Sequence, residues 1–338
     1  MVRRSSSRER KVRGKKTHAS REEKRLRKHK KELARARRAR GNPGQKSRSS
    51  PNDVRRVQSG FDGTEFVETE EVEAIKDRAR RWLDVPRPVH LVGPTGCGKT
   101  ALALSIAAER DRPAVWINGD ESLETADLVG ERSGKERYSE RDNYVTGVLK
   151  KTEIVRDRWV DNPLSLAVAE GATLVYNEFS RTKPIANNVL LSVFEEGVLE
   201  RPGQRGRDRT IDVHPEFRAI LTSNATEYAG VFDPQDALLD RLIGVHMDFY
   251  GFDTEVEIVA SHVEGLERDE IERIVGIVRE LRDDLEVSVG TRPAIMIAEG
   301  ALAFPEDAFV DVCTDVLGSK VSSHSELTEV RARVEELA

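Results

Sequence analysis

The chain has 338 residues, 38% of them hydrophobic and 34% charged, with 55 Lys/Arg against 60 Asp/Glu. That length accommodates one large or two ordinary domains with a sizeable core. Two cysteines, Cys97 and Cys313, exclude a disulfide framework and a cysteine-rich zinc module. No stretch approaches the roughly eighteen consecutive apolar residues of a membrane-spanning helix.

The charge is unevenly spread. Residues 1–50 hold 21 Lys/Arg and 4 Asp/Glu, a net +17, which leaves 34 against 56, a net −22, for residues 51–338. Only seven lysines follow residue 50. Acidic, lysine-poor surfaces suit molar salt, where the Debye length falls to about 3 Å and carboxylates no longer repel strongly. An ordinary acidic protein is the plainer alternative. An acidic body also argues against nucleic acid lying across the globular part.

Residues 1–55 form a basic arm ending in a Gly/Pro/Ser-rich linker. They offer too little apolar surface to offset ordering entropy, and are expected to be disordered. The start of the chain is rich in Arg, Lys and Ser and lacks the apolar core of a secretory signal, so a cytoplasmic location is expected. From Thr69 onward Val72, Ile75, Ala79, Trp82 and Leu83 recur at helical spacing. Strand Val89–Val92, helix Thr100–Arg110 and strand Ala114–Ile117 follow, then a long variable region. Strand Thr173–Tyr176, helix Pro184–Glu196 and strand Arg218–Thr222 complete the alternation. Short apolar strands interleaved with helices predict an α/β fold, a parallel sheet sandwiched by crossover helices, over residues 56–250. Residues 251–338 read as helices at Val256–His262, Asp269–Asp284, Pro293–Ala303 and Ala308–Leu317, a small all-helical subdomain.

The run Gly93, Pro94, Thr95, Gly96, Cys97, Gly98, Lys99, Thr100 fits the phosphate-loop pattern G-x-x-x-x-G-K-[ST], with Ala101 opening the helix behind it. An apolar strand enters and a helix leaves, as the motif requires. Successive backbone N–H groups then form an anion nest at a helix N-terminus. Lys99 would neutralise the β- and γ-phosphate oxygens of ATP, and the Thr100 hydroxyl would ligate Mg²⁺. Cys97 occupies a variable position and reads as incidental, although a thiol there could make the site sensitive to oxidation.

Hydrolysis needs further groups. Strand Thr173–Tyr176 leads into Asn177 and Glu178, where an Asp-Glu pair is the usual arrangement. Asn177 can accept a hydrogen bond from a Mg²⁺-bound water but adds no negative charge, so weakened Mg²⁺ affinity is expected. Glu178 remains to polarise the attacking water. Asn224 ends the next strand and is a sensor candidate for the γ-phosphate, although Asn after a strand is also ordinary turn chemistry. Arg241 could reach a neighbouring subunit's nucleotide as a finger, or form a salt bridge with Asp240 or a neighbour. Arg292 opens a helix of the helical subdomain and could fold onto the phosphates, or stand exposed before Pro293.

In motif order, spacing and trailing helical subdomain the chain resembles the AAA+ ATPase module. Within it, the sequence is similar to the MoxR-related branch and specifically to the gas vesicle protein N family. The segments that carry the resemblance are RPVHLVGPTGCGKTALAL (87–104), INGDESLETADLVGE (117–131), residues 148–200 and VHPEFRAILTSNATEYAGVFDPQDALLDRL (213–242). They place the likeness over roughly residues 60–300, with the basic arm outside it. The resemblance implies a P-loop NTPase fold and a helical lid. It also implies a ring oligomer, in such families usually a hexamer, with nucleotide at subunit interfaces. The family's ATPases help gas vesicles assemble, which implies shell and accessory proteins as partners and a cytoplasmic place beside gas vesicles. Another MoxR-like activator of a metalloenzyme, or a non-hydrolysing vesicle component, are the competing readings.

Overall fold

The computed structural model describes residues 66–142, 150–224, 232–284, 289–304, 308–321 and 323–338; within 133–158, at 207 and at 283–284 only the backbone is described. The basic arm and linker, expected to be disordered, lie outside the described residues.

Five short apolar strands pair in parallel because neither of their faces is polar enough to meet water. They are β1 (Val89–Gly93), β2 (Ala114–Asn118), β5 (Thr173–Asn177), β8 (Arg218–Asn224) and β9 (Ile243–His246), in the order β2-β5-β8-β1-β9. Alternate residues face opposite sides. Val175 and Ile220 join Val89 and Leu91 beneath α1 (Glu70–Asp84) and α2 (Lys99–Glu109). Leu174, Tyr176, Ala219 and Leu221 pack on the other face against α3 (Thr125–Val129), α4 (Pro163–Glu170) and α6 (Val189–Glu195). The sheet is thus flanked by helices on both sides, as the alternation predicts. β9, whose four residues lack a distinctive run, was not foreseen.

Helix α1 starts at Thr69, whose side chain accepts from Val72 N at 3.4 Å, with Glu70, Glu71 and Glu73 against the positive end of the dipole. Its buried stripe is Val72, Lys76, Ala79 and Leu83, while Trp82 is exposed. The lysine is buried because carboxylates surround it: Nζ lies 2.6 Å from Glu68 and 3.2 Å from Glu73, and also meets Glu109.

The predicted helix 184–196 is divided into α5 (Pro184–Asn187) and α6, with Asn188 between them. Asn187 is pulled inward to bond Tyr176 and the Phe179 carbonyl, which breaks the regular ladder. The variable region contains a long antiparallel hairpin, β3 (Gly130–Asp142) and β4 (Lys150–Asp161), paired from Gly130↔Asp161 to Asp142↔Lys150 with a register shift between Arg132 and Lys135. A second, small hairpin joins β6 (Val198–Glu200) and β7 (Thr210–Asp212).

A short helix, α7 (Asp236–Leu239), precedes β9, and five helices follow it: α8 (Phe252–His262), α9 (Arg268–Asp284), α10 (Thr291–Ala303), α11 (Phe309–Gly318) and α12 (His324–Leu337). They close a core of their own around Ile274, Val278, Leu281 and Ile297. The last of them was not foreseen, because its apolar content is low and only Val330 and Val334 are buried.

His90, on β1, is buried between Ser223 Oγ at 2.7 Å and the edge of Phe179, with ring centroids 5.0 Å apart. Burial, with a smaller push from His246, lowers its pKa to about 4. The folded state therefore disfavours the imidazolium that the unfolded chain forms below about 6.5. Stability held above that pH is lost as pH falls from about 6.5 toward 4, by at most about 3 kcal/mol. Thermal unfolding of His90→Gln and the parent between pH 7.5 and 4.5 should show the parent losing more over this window.

Candidate active site

The phosphate loop runs from the C-terminal end of β1 into α2. Gly96 and Gly98 both sit at φ +86, a region that side chains avoid, and this turns the loop's backbone back on itself. Lys99 is buried, and its Nζ donates to Gly93 O at 2.9 Å and Pro94 O at 2.6 Å. Burial pushes the Lys99 pKa down, while Cys97 and Glu178 pull it partly back. Cys97 is also buried, and burial raises its thiol pKa. A thiol held away from solvent is a poor target for oxidants, which supports the reading of Cys97 as incidental.

Parallel register brings the other strand ends to the same edge. Asn224 lies abreast of Gly93, and Asn177 abreast of Asn118. The Asn177 side chain is the centre of a network. Its Oδ1 accepts from Thr100 Oγ1 at 2.6 Å and Thr222 Oγ1 at 2.9 Å, and its Nδ2 donates to Asn118 Oδ1 at 3.1 Å. Thr222 in turn accepts from Glu178 N at 3.0 Å. Glu178 is the only non-glycine with positive φ among the described residues, at φ 50, ψ 43. A Cβ on Gly119 would collide with the Glu178 carbonyl, so glycine is required where β2 ends. Unusual backbone of this kind persists where surrounding bonds over-determine it. The Glu178 carboxylate meets Arg181 at 2.8 Å.

The helical region meets the loop directly. Gly290 and Gly96 approach so closely that a Cβ on Gly290 would stand 2.8 Å from Gly96 Cα, and Thr291 N points to Gly96 O at 3.4 Å. Arg292 follows at once, exposed, with buried Pro293 behind it. This junction is pinned by Glu255 of α8, only 1% exposed. It pairs with Arg279 and Arg282 at 2.7 Å each and accepts from Thr291 Oγ1 at 2.8 Å. Removing one partner of such a buried set leaves an uncompensated charge. Tyr250 packs its ring against Gly98.

Arg241 is elsewhere. It precedes β9, where Ile243 registers with Val89 at the entering end of β1, whereas the loop leaves from Gly93 at the other end. Its guanidinium pairs with Glu195 and the Ala237 carbonyl, not with Asp240. The structure therefore gathers the loop, Asn177, Glu178 and Asn224 at one sheet edge and sets the start of α10, with Arg292, against it. Gly119, Thr222, Arg181, Glu255 and Gly290 were missed. Their signals were slight: a glycine after a strand, a hydroxyl before Ser-Asn, and single charges on helices.

Residues 88–242 match the AAA domain (dynein-related subfamily). The gas vesicle ATPase GvpN of Haloferax mediterranei is 58% identical over 98% of this chain and 96% of its own. GvpN1 of Halobacterium salinarum is 56% identical over the same shares. The chain belongs to the GvpN family of AAA+ ATPases. A bacterial GvpN, from Ancylobacter aquaticus, is 42% identical over 76% of this chain and 74% of its own. Coverage of 98% corrects one expectation, because most of the basic arm must lie inside the haloarchaeal matches. The acidic, lysine-poor composition fits these halophilic relatives.

Replacing Gly290 with alanine should push α10 off the loop without unfolding either core. The expected result is weaker nucleotide binding by titration, several-fold or more, with the thermal midpoint shifted by only a few degrees.

Proposed function

We propose that this AAA+ chain hydrolyses ATP as a hexameric ring, and that the work assembles or remodels gas vesicles. In this reading residues 56–250 bind nucleotide, residues 251–338 act as a lid, and shell and accessory proteins are the partners. The observation that carries it is the convergence of the Gly93–Ala101 loop, Glu178 and Asn224 on one sheet edge, with α10 against the loop. The chain's membership of a family whose named relatives are gas vesicle ATPases supplies the setting.

Lys99 exchanges two neutral carbonyl acceptors, Gly93 O and Pro94 O, for anionic phosphate oxygens, a stronger charge-assisted bond. Glu178 accepts a proton from the attacking water, and Asn224 orients that water against the γ-phosphate. Arg292 follows the phosphates as the lid closes. Arg241 cannot serve its own loop from the far end of the sheet, which supports a role toward a neighbour's nucleotide. Each interface then completes one site.

The residues fit a Mg²⁺ ion held mainly by phosphate oxygens. The Thr100 hydroxyl would ligate it directly and Asn177 Oδ1 through water, and these two oxygens already meet at 2.6 Å. When bound, the ion would neutralise charge on the transferring phosphoryl group.

The test is Mg²⁺-dependent phosphate release in molar KCl, with Lys99→Ala and Arg241→Ala measured separately and mixed. Each alone should be nearly silent, since a trans finger is typically worth about 10³–10⁵ in rate. Their mixture should recover activity, because some interfaces pair an intact loop with an intact finger. In cells that make gas vesicles, Lys99→Ala should reduce flotation. A rate independent of concentration, with no recovery on mixing, would overturn the ring.

The neutral side chain at 177 has its own expected signature. Asn177→Asp should move the Mg²⁺ dependence of hydrolysis to lower concentration, once Asn118 turns its amide to donate to the new oxygen. An unmoved titration curve would show that the amide is no handicap.

A further inference from the structure

Glu178 is followed by a 3₁₀ turn, Phe179–Arg181, that is held more firmly than a surface turn needs to be. Buried Tyr176 bonds Thr182 Oγ1 at 2.8 Å and Asn187 Oδ1 at 3.0 Å, and Asn187 Nδ2 donates to Phe179 O at 3.1 Å. Thr182 Oγ1 also accepts from Asp120 N at 3.2 Å, and Ser180 O accepts from Phe232 N at 2.8 Å. Four segments of the chain, at Asp120, Tyr176, Asn187 and Phe232, therefore fix the backbone on which Arg181 stands. From there the guanidinium Nη1 reaches Glu178 Oε2 at 2.8 Å, with Asp120 adding a further attraction.

A glutamate side chain has three rotatable bonds, and a left-handed backbone offers it no helical neighbours to pack on. Something must choose its rotamer if the carboxylate is to face one water molecule. Resting on the reading of Glu178 as the hydrolytic base, we propose that Arg181 is its positioning residue. It holds Oε2, leaves Oε1 to take the proton, and does not itself touch the nucleotide. The pair is exposed, with Arg181 at 57% and Glu178 at 32%. An exposed pair of this kind biases a population by about two- to five-fold, and this sets the size of the effect.

The experiment is steady-state ATP hydrolysis by the full chain at a protein concentration where the parent's activity per subunit is maximal. It compares the parent with Arg181→Ala, Arg181→Lys, Glu178→Gln and the double variant Arg181→Ala/Glu178→Gln. Arg181→Ala should lower kcat about two- to five-fold with KM for ATP unchanged. Arg181→Lys should recover much of the loss. In the Glu178→Gln background the alanine should change the residual rate no further, because the two side chains act as a unit. An equal loss in both backgrounds would make Arg181 merely structural. A loss beyond about a hundredfold, or a moved KM, would place it on the nucleotide, and a faster Arg181→Ala would make it a brake; each overturns the proposal. Glu178→Gln turning over as fast as the parent, or a parent that releases no phosphate, would instead remove the base itself and this inference with it.

Discussion

The side chain of Asn177 is the point on which the site depends. One oxygen accepts two hydroxyls, from the first turn of α2 and from β8, while the amide donates to the end of β2. Three strands and the loop helix are thereby locked at one edge of the sheet by hydrogen bonds among neutral groups. A carboxylate there would carry charge into a half-buried position and need compensation. The amide ties the same elements without that demand, which makes the constellation indifferent to salt and to pH in the ordinary range.

Around this knot the backbone does what side chains cannot. Gly119 lets the Glu178 carbonyl come close, and Gly290 lets the start of α10 lie against Gly96. Both contacts are backbone on backbone, with no flexible side chain to absorb an error. The Glu255 carboxylate, with Arg279, Arg282 and Thr291, then fixes the rotation of the helical region at the contact. Phosphate chemistry and helix packing are thus mechanically one problem.

Much of this was legible in the sequence. The phosphate loop is local, because its glycines, lysine and threonine sit at fixed spacing between an apolar strand and a helix. The strand ends at Asn177 and Asn224 were legible because parallel strands in an α/β sheet finish at a common edge. What escaped is non-local. Lys76 reads as a solvated charge on a helix, and only the fold brings Glu68 and Glu109 to it. Gly290 reads as a helix start, and nothing near it in the chain announces Gly96. Arg181 reads as one more arginine until the turn that carries it is seen to be nailed down by Tyr176 and Asn187. The break in the predicted helix at Asn188, just after Asn187 turns inward, has the same origin, a tertiary bond that outweighs local propensity.

The joint between Gly96 and Gly290 also has a consequence for how the chain reaches its folded state. Its neighbours are held by contacts of great sequence separation, such as Gly251 N to Glu71, 180 residues apart. Contacts of that kind form late, since a long loop must be closed before they return any stability. The helix behind the phosphate loop can form early, from its own neighbours in the chain, whereas β1 finds its partners only in the distant β8 and β9. The loop's final shape waits for the last helices to arrive, so a chain still being synthesised carries a complete nucleotide motif that is not yet a nucleotide site.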